Sequence, residues 1–202
     1  MTSDDAARLS VTGRWLRSLG SLQGEAPAFD TADAPDDPAA LFLHWLRGAV
    51  DAGVPEAHAG TLATVAADGI PDARTLVLKD VGAQGWAVAG SRASRKGVQL
   101  AATPTAALSF WWQPVVRAVR VRGTVHEGTR AEIEADLAAR PARTVSSADD
   151  WMLWWIDPVR VEFWQGSPSR HHTRLVYEKS GRAWTHRLLS PTPAPTDERG
   201  TV

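Results

Sequence analysis

The stretch Ala73-Arg-Thr-Leu-Val-Leu-Lys79, Asp80-Val-Gly-Ala-Gln-Gly85, Trp86-Ala-Val-Ala-Gly90 and, past Ser91-Arg-Ala, Ser94-Arg-Lys-Gly97 decides how the rest of the chain is read. Two short apolar runs, Arg74–Lys79 and Trp86–Ala89, flank a glycine-bearing connection. This predicts a β-hairpin whose loop, Asp80–Gly85, is longer than the tightest turns. The second run leads through small residues to a hydroxyl and two adjacent cations, Ser94-Arg95-Lys96, just before a segment with helical periodicity. Backbone N–H groups at a helix start, with an arginine and a lysine beside them, suit an anion such as phosphate. The plainer reading of Ser-Arg-Lys is a solvated basic turn; its place between a strand and a helix start brings the anion reading level with it.

Outward from this hairpin the pattern stays antiparallel. Gly13–Leu22 reads as a short helix and Glu25–Asp37, with two prolines and several aspartates, as a linker. Asp36-Asp37-Pro38 is a helix start, and Leu41, Phe42, Trp45, Leu46 and Val50 make one apolar stripe that Gly53 ends. Gly60–Ala67 is predicted as a strand with its turn at Asp68-Gly69, and Val98–Ala102 as a short helix stopped by Thr103-Pro104. Ala106–Trp112 and Arg117–Val125 are further strands. In the second, Val119 and Val121 share one face and Ala118, Arg120 and Arg122 the other. Thr129–Ala139 reads as a helix with acids early and Arg140 at its end, and residues 141–150 as a polar loop. Val159–Trp164, Arg174–Glu178 and Trp184–Leu189 complete about seven strands with hairpin-like spacing. No strand–helix–strand alternation runs through the chain, so the expected fold is mainly β: an antiparallel barrel with flanking helices. The expected organisation is an arm and linker over residues 1–37, one domain over 38–190, and a disordered tail over 191–202.

The totals narrow the function. The chain has 202 residues and a formal net charge of −1, so no overall basic field recruits nucleic acid. It has no cysteine, which excludes disulfides, thiolate nucleophiles and cysteine-ligated metals. No apolar run is long enough to span a membrane as a helix, and Met1-Thr-Ser-Asp-Asp lacks the features of a secretory signal, so the expected setting is the cytoplasm, with no membrane partner. Ten tryptophans supply core and interface area, and an indole can also wall a flat aromatic ligand.

Other candidates are each open to two readings. Arg74 and Lys79 flank an apolar strand; their odd spacing points them to opposite faces, so they do not form one symmetric clamp. Arg170-His171-His172 supplies a cation and two imidazoles in a loop, but adjacent histidines match no metal-ligand spacing, and no metal is expected. Arg140-Pro141-Ala142-Arg143-Thr144 is either an anion site or a basic helix end with a proline stop. No paired carboxylates, nucleophile elbow or phosphate loop is present.

Taken together, Arg74–Lys79, Ser94–Gly97, Pro104 followed by Ala106–Trp112, Val119–Gly123, Arg140-Pro141, and Val161–Gly166 with Arg170–Leu175 resemble the pyridoxamine 5′-phosphate oxidase family, over about Pro38 to Pro191. The resemblance implies a split β-barrel homodimer with two FMN sites at the subunit interface. It places Arg74, Thr75, Leu76 and Val77 along the flavin, Ser94, Arg95 and Lys96 on the FMN phosphate, and Trp164 and Arg174 at the flavin from the other subunit. Lys79 and Arg140, with Thr144 in place of the family's serine, would hold the substrate phosphate; Arg170 and His172 would cover the substrate. The implied reaction moves a hydride from the 4′ carbon of pyridoxine or pyridoxamine 5′-phosphate to the flavin, which dioxygen reoxidises. The chain departs from the family pattern at Ala89-Gly90 (usually Tyr-Thr), Ala118 (usually Gln), Asp136 (usually Tyr) and in a shortened segment after Arg140-Pro141. Three functions follow in order: this oxidase, an FMN enzyme of the same scaffold acting on another small molecule, and a non-catalytic FMN- or pyridoxal-phosphate-binding protein.

Overall fold

Asp37 opens the helix that plugs the core: its carboxylate accepts the Ala39 N–H at 2.9 Å, and Pro38 takes the first helical position, where no N–H is needed. The computed structural model describes residues 10–140 and 148–189. Its helices are α1 (Val11–Ser18), α2 (Pro38–Asp51), α3 (Arg95–Ala102) and α4 (Arg130–Ala138). Its strands are β1 (Ala59–Val65), β2 (Pro71–Val77), β3 (Asp80–Gly82), β4 (Gly85–Ser91), β5 (Thr105–Trp112), β6 (Arg117–Glu127), β7 (Trp151–Gln165), β8 (Thr173–Ser180) and β9 (Ala183–Leu188). All pairings are antiparallel, in the order β2-β1-β5-β6-β7-β4-β3, with β8 and β9 added beside β7.

The sheet closes because its two end strands are one piece of chain. Leu78 N–H still bonds to His58 beside β1, whereas Lys79 N–H bonds to Ala87 in β4. Residues 78–79 therefore pass the chain from one sheet edge to the other, and a barrel results in place of an open sheet. The sequence expectation of one strand from Arg74 to Lys79 is corrected here: β2 ends at Val77, residues 78–79 are the crossing, and a separate strand begins at Asp80. The long hairpin loop is corrected as well: Gly82 pairs with Gly85, leaving a two-residue turn, Ala83-Gln84. Asp80–Gly82 reads as loop because aspartate and glycine are poor strand formers; pairing with β4 overrides that preference.

The inward row is the alternation read from the sequence. Leu62, Leu108, Phe110, Trp112, Val119, Val121, Trp86, Val88, Ile156, Val161 and Phe163 are all buried. From α2, Phe42 meets Trp86 and Phe110 edge-on at 5.6 and 5.0 Å, and Trp45 meets Phe163 at 5.2 Å. Each such side chain contributes about 1.5–3 kcal/mol of burial. Arg117, also buried, lies 4.1 Å over Trp45, and its guanidinium binds Gln165 and the Ala28 carbonyl, tying the linker to the barrel. Burial pushes that guanidinium down to about 10.

β7 begins at Trp151, eight residues before the Val159 start expected from sequence. Trp151–Ile156 is a continuous apolar run without alternation because both faces are covered, one by the core and the other by α4. Pro158, which cannot donate to the ladder, sits at an irregularity where the β6 register shifts between Arg122 and Gly123. The expected polar loop 141–150 is only partly within the described residues: Ala148–Asp150 form a single 3₁₀ turn, and Thr144 lies outside, as does the expected tail.

The closure gives a direct test. Gly85 has φ +113°, and a Cβ there would lie 2.0 Å from the Ile156 carbonyl oxygen, whereas a Cβ at Gly82 meets nothing within 4 Å. In urea unfolding, Gly85→Ala is expected to lose about 2–4 kcal/mol and Gly82→Ala to stay within roughly 1 kcal/mol of the parent.

Candidate functional site

The first group of side chains stands where β2, β1 and α3 meet. β2 pairs with β1 so that Arg74 faces Leu62 and Asp72 faces Thr64. Arg74 thus turns to the barrel interior at its open end. Its guanidinium donates to Thr64 Oγ1 at 2.5 Å and to Gln99 Oε1 at 3.0 Å, and pairs with Asp72 at 3.0 Å. Thr64 and Gln99 are themselves buried and bonded to each other. Asp72 accepts from the Gln99 amide at 3.2 Å and lies 3.6 Å from Arg95. That amide bond, then the charges of Arg74 and Arg95, hold its carboxyl below the usual range. Thr75 and Val77 alternate to the opposite face of β2, while Leu76 returns inward and packs on the core.

Ser94 caps α3: its hydroxyl accepts the Gly97 N–H at 3.3 Å and Lys96 Nζ donates to it at 3.3 Å. Arg95 is 86% exposed, so it has freedom to swing toward a ligand. Lys96 is the reverse. It folds back over β4 and the Trp154 ring, with Nζ 5.9 Å from the ring centroid. A Cβ at Gly90 would lie 2.3 Å from that Nζ, so Gly90, where the family's hydroxyl residue is missing, is the space the lysine uses. Burial, and next the charge of Arg74, push the Lys96 ammonium below its ordinary value. Two neighbouring cations, a hydroxyl and a helix start without an acid in its first turn together fit a phosphate dianion, which would relieve their mutual repulsion.

A second group gathers where α4 packs on the start of β7. Lys79 Nζ lies 3.9 Å from Asp136 Oδ1, and Trp151 Nε1 donates to Asp136 Oδ2 at 2.8 Å. Arg140 lies flat on the same indole at 4.0 Å. Lys79 and Arg140, far apart in sequence, thus border the same bonded pair: Lys79 faces the Asp136 carboxylate and Arg140 the Trp151 indole. Arg74, within β2, reaches the interior, whereas Lys79, past the end of β2, reaches α4.

A third group sits at the far end of β7. Register places Trp111, Ala118, Trp164 and Arg174 in one row across β5, β6, β7 and β8 on the outer face. The small Ala118 lets the indoles of Trp111 and Trp164 approach to 6.0 Å, and the Trp164 ring is 5.0 Å from that of His172. His172 Nδ1 accepts the Ser167 N–H at 3.0 Å, so the neutral ring carries its proton on Nε2. Arg170 is exposed, in the left-handed region with φ +63°. Arg174 pairs with the buried Glu162 at 3.2 Å, which also binds Arg120, and Arg160 at 3.3 Å. Of these, Glu162, Arg120 and Arg160, with Thr61, Ser109 and Arg122, line a groove of about 330 Å³ on the outer face of the sheet.

The sequence reading missed Thr64, Gln99, Asp72, Trp111, Trp151 and Glu162. A short polar residue inside a strand and a glutamine on a helix carry no local signal; only the pairing of β1 with β2 and the packing of α3 join them. Trp111 is 49% exposed on the outer face of the sheet. Among the described residues no helix is long and apolar enough to cross a membrane.

Comparison with known proteins gives the same picture. Residues 46–165 match a family model described as pyridoxamine 5′-phosphate oxidase, and residues 151–191 one described as the pyridoxine 5′-phosphate oxidase C-terminal dimerisation region. The chain is 38% identical over 193 residues to a pyridoxine/pyridoxamine 5′-phosphate oxidase of Thermosynechococcus vestitus, covering 79% of this chain and 92% of the relative. A protein of that name from Burkholderia multivorans is 36% identical over 200 residues, covering 81% and 94%. In fold, the chain is similar to PhzG from Burkholderia lata 383, solved with tetrahydrophenazine-1-carboxylic acid, with a TM-score of 0.72 at 23% identity over 83% of this chain and all of that one. It is also similar to an FMN-binding protein of Nostoc punctiforme related to pyridoxamine 5′-phosphate oxidase (TM-score 0.62, 17% identity, 77% and 98% covered).

The crowding of Lys96 against Arg74 predicts a split effect. Lys96→Met is expected to weaken FMN binding at least about tenfold, through loss of a charge-assisted contact. It should leave the melting temperature of the flavin-free protein equal or higher, because a half-buried cation next to another cation is removed. A flavin fluorescence titration and a thermal melt check the two parts; a lower melting temperature with unchanged FMN affinity would oppose both.

Proposed function

Since the chain belongs to the pyridoxamine 5′-phosphate oxidase family and is an FMN-dependent oxidoreductase of that type, we propose that it oxidises pyridoxine or pyridoxamine 5′-phosphate at the 4′ carbon to pyridoxal 5′-phosphate, with dioxygen as acceptor, as a homodimer. The observation that carries this reading is the presence of two separate cation sets along the first residues of β7. Lys96 lies near the Trp154 ring, Arg140 lies on the Trp151 ring, and Lys79 faces Asp136, which accepts the Trp151 N–H. One set suits the phosphate of the cofactor and the other the anionic group of the substrate.

In this reading Arg74, Ser94, Arg95 and Lys96 hold the FMN phosphate, Thr75, Leu76 and Val77 run beside the flavin, and Trp164 and Arg174 reach it from the second copy. The dimer is a geometric need. Trp151 and Trp164 are 13 residues apart on one strand, roughly 40 Å of chain path. The two ends of β7 in one protomer therefore do not meet on one small ligand, whereas a two-fold axis brings one end of each strand to the other end of its mate. FMN supplies, when bound, a two-electron acceptor that dioxygen reoxidises to give peroxide. The chain's own part is binding and orientation. Lys79 and Arg140 fix the substrate's anionic group, Arg170 covers the ring, and His172, its Nδ1 held by Ser167, presents an Nε2 proton to a substrate oxygen or nitrogen. A second reading, oxidation of a different small ring compound on the same scaffold, is favoured by Asp136 beside Lys79.

Oxygen consumption by the purified yellow protein with each vitamer phosphate tests the first reading; a yellow protein inert to both moves the assignment to the second. Arg170→Ala is expected to lower turnover at least about tenfold, with FMN affinity within about twofold; loss of both together would place the residue in the flavin site. Mixing Lys96→Met and Arg170→Ala subunits, each impaired as a homodimer and assayed at limiting FMN, is expected to raise activity to roughly a quarter of the parent's, because half the dimers carry one intact site of two. No recovery on exchange of subunits would mean that each site is built within one chain.

A further inference from the structure

The Asp136 carboxylate facing Lys79 stands against expectation on two counts. It lies in the last turn of α4, where the helix dipole disfavours an acid, and it lies in a group of cations that the reading above assigns to an anionic ligand. It is not turned away to water. Asp136 is 13% exposed; one oxygen takes the Trp151 indole N–H at 2.8 Å and the other faces Lys79 Nζ at 3.9 Å. The same indole carries Arg140 on its face at 4.0 Å, with the guanidinium Nε buried and lacking an acceptor among the described residues. Trp151 thus fixes both an anion and a cation at set positions, and the formal charge of Lys79, Asp136 and Arg140 together is +1 where two cations alone would give +2.

We propose that Asp136 sets how strongly the substrate's anionic group is held here: by neutralising Lys79 it leaves Arg140 as the working cation, so that the phosphate adds less to substrate affinity than two free cations would give. The inference rests on the reading that Lys79 and Arg140 face the substrate. A dianion approaching Arg140 also approaches a fixed carboxylate, and within a few ångströms in a partly desolvated site like charges act strongly on affinity. Asp136 is in this sense a specificity-determining residue that acts by excluding charge as well as by supplying a hydrogen-bond acceptor.

The test measures what a phosphate is worth. Calorimetric titration of the FMN-loaded protein with pyridoxal 5′-phosphate and with pyridoxal gives a ratio of dissociation constants that isolates the phosphate group. For the parent this ratio is expected to be less than about tenfold, and for Asp136→Asn to rise by a further tenfold or more. Asparagine keeps an oxygen for the Trp151 N–H and removes only the charge, so the fold is retained; Asp136→Glu, which keeps the charge, is expected to show no such rise. Adding Lys79→Met is expected to change the ratio little in the parent and to abolish the gain in Asp136→Asn, a coupling that a merely structural role would not produce. Equal ratios in parent and Asp136→Asn overturn the role given to Asp136 and leave the vitamer reading of the site standing. Failure of the parent and of Asp136→Asn to bind either compound overturns the vitamer reading, and this inference with it.

Discussion

Everything in this molecule depends on the hydrogen bonding of one strand. β7 runs for fifteen residues and pairs with β6 from Trp154 to Gln165 on one side; on the other its first six residues bond to β4 and its last six to β8. Splitting one edge between two partners is what divides the barrel from the β8–β9 extension. The strand also carries the covered indoles and aliphatics that join the main core to the layer under α4. Breaking its register would unseat three neighbours at once, which is why the irregularity at Pro158 is confined to a place where Gly123 opens the opposing strand.

The charged groups follow from that frame. Arg74 is held by two buried polar side chains that bond to one another, so its guanidinium is fixed before any ligand arrives. Lys96 is held against it at some cost, visible in the lowered affinity of its ammonium for a proton. Glu162 gathers three arginines on the outer face of the sheet, the face that also carries the exposed Trp111 and the groove. Catalytic capacity here is an arrangement of fixed charges around a cofactor that does the redox chemistry.

Much of this was legible in the sequence, for identifiable reasons. Alternation in Arg117–Val125 marks its inward face because only one side of that strand is covered. Asp37-Pro38 and Ser94 announce helix starts because capping is local chemistry. Ser94-Arg95-Lys96 reads as an anion site from the same local logic. Illegible were features set by pairing at a distance. Trp151–Ile156 has no period because both its faces are buried, and Asp80–Gly82 is a strand only because β4 lies beside it. The Thr64–Gln99–Arg74 arrangement needs two strands and a helix to exist. Asp136 could be flagged as an acid in an unexpected place, but its direction, toward Lys79 and Trp151, is a product of how α4 lies on β7.

The length of β7 has a consequence for how such a protein changes over time. The group around Trp151 and Asp136 hangs on one end of the strand and on α4; the group around Trp164, Arg170 and His172 hangs on the other end and on the turn into β8. Substitution or shortening of the chain near the first end, between Arg140 and Trp151, leaves the second end's backbone pairings untouched. On the proposed reading of a site shared between two copies, its two halves are separable units of variation, inherited on one strand yet free to drift apart in chemistry, and a lineage can retune what it binds at one end without rebuilding what it holds at the other.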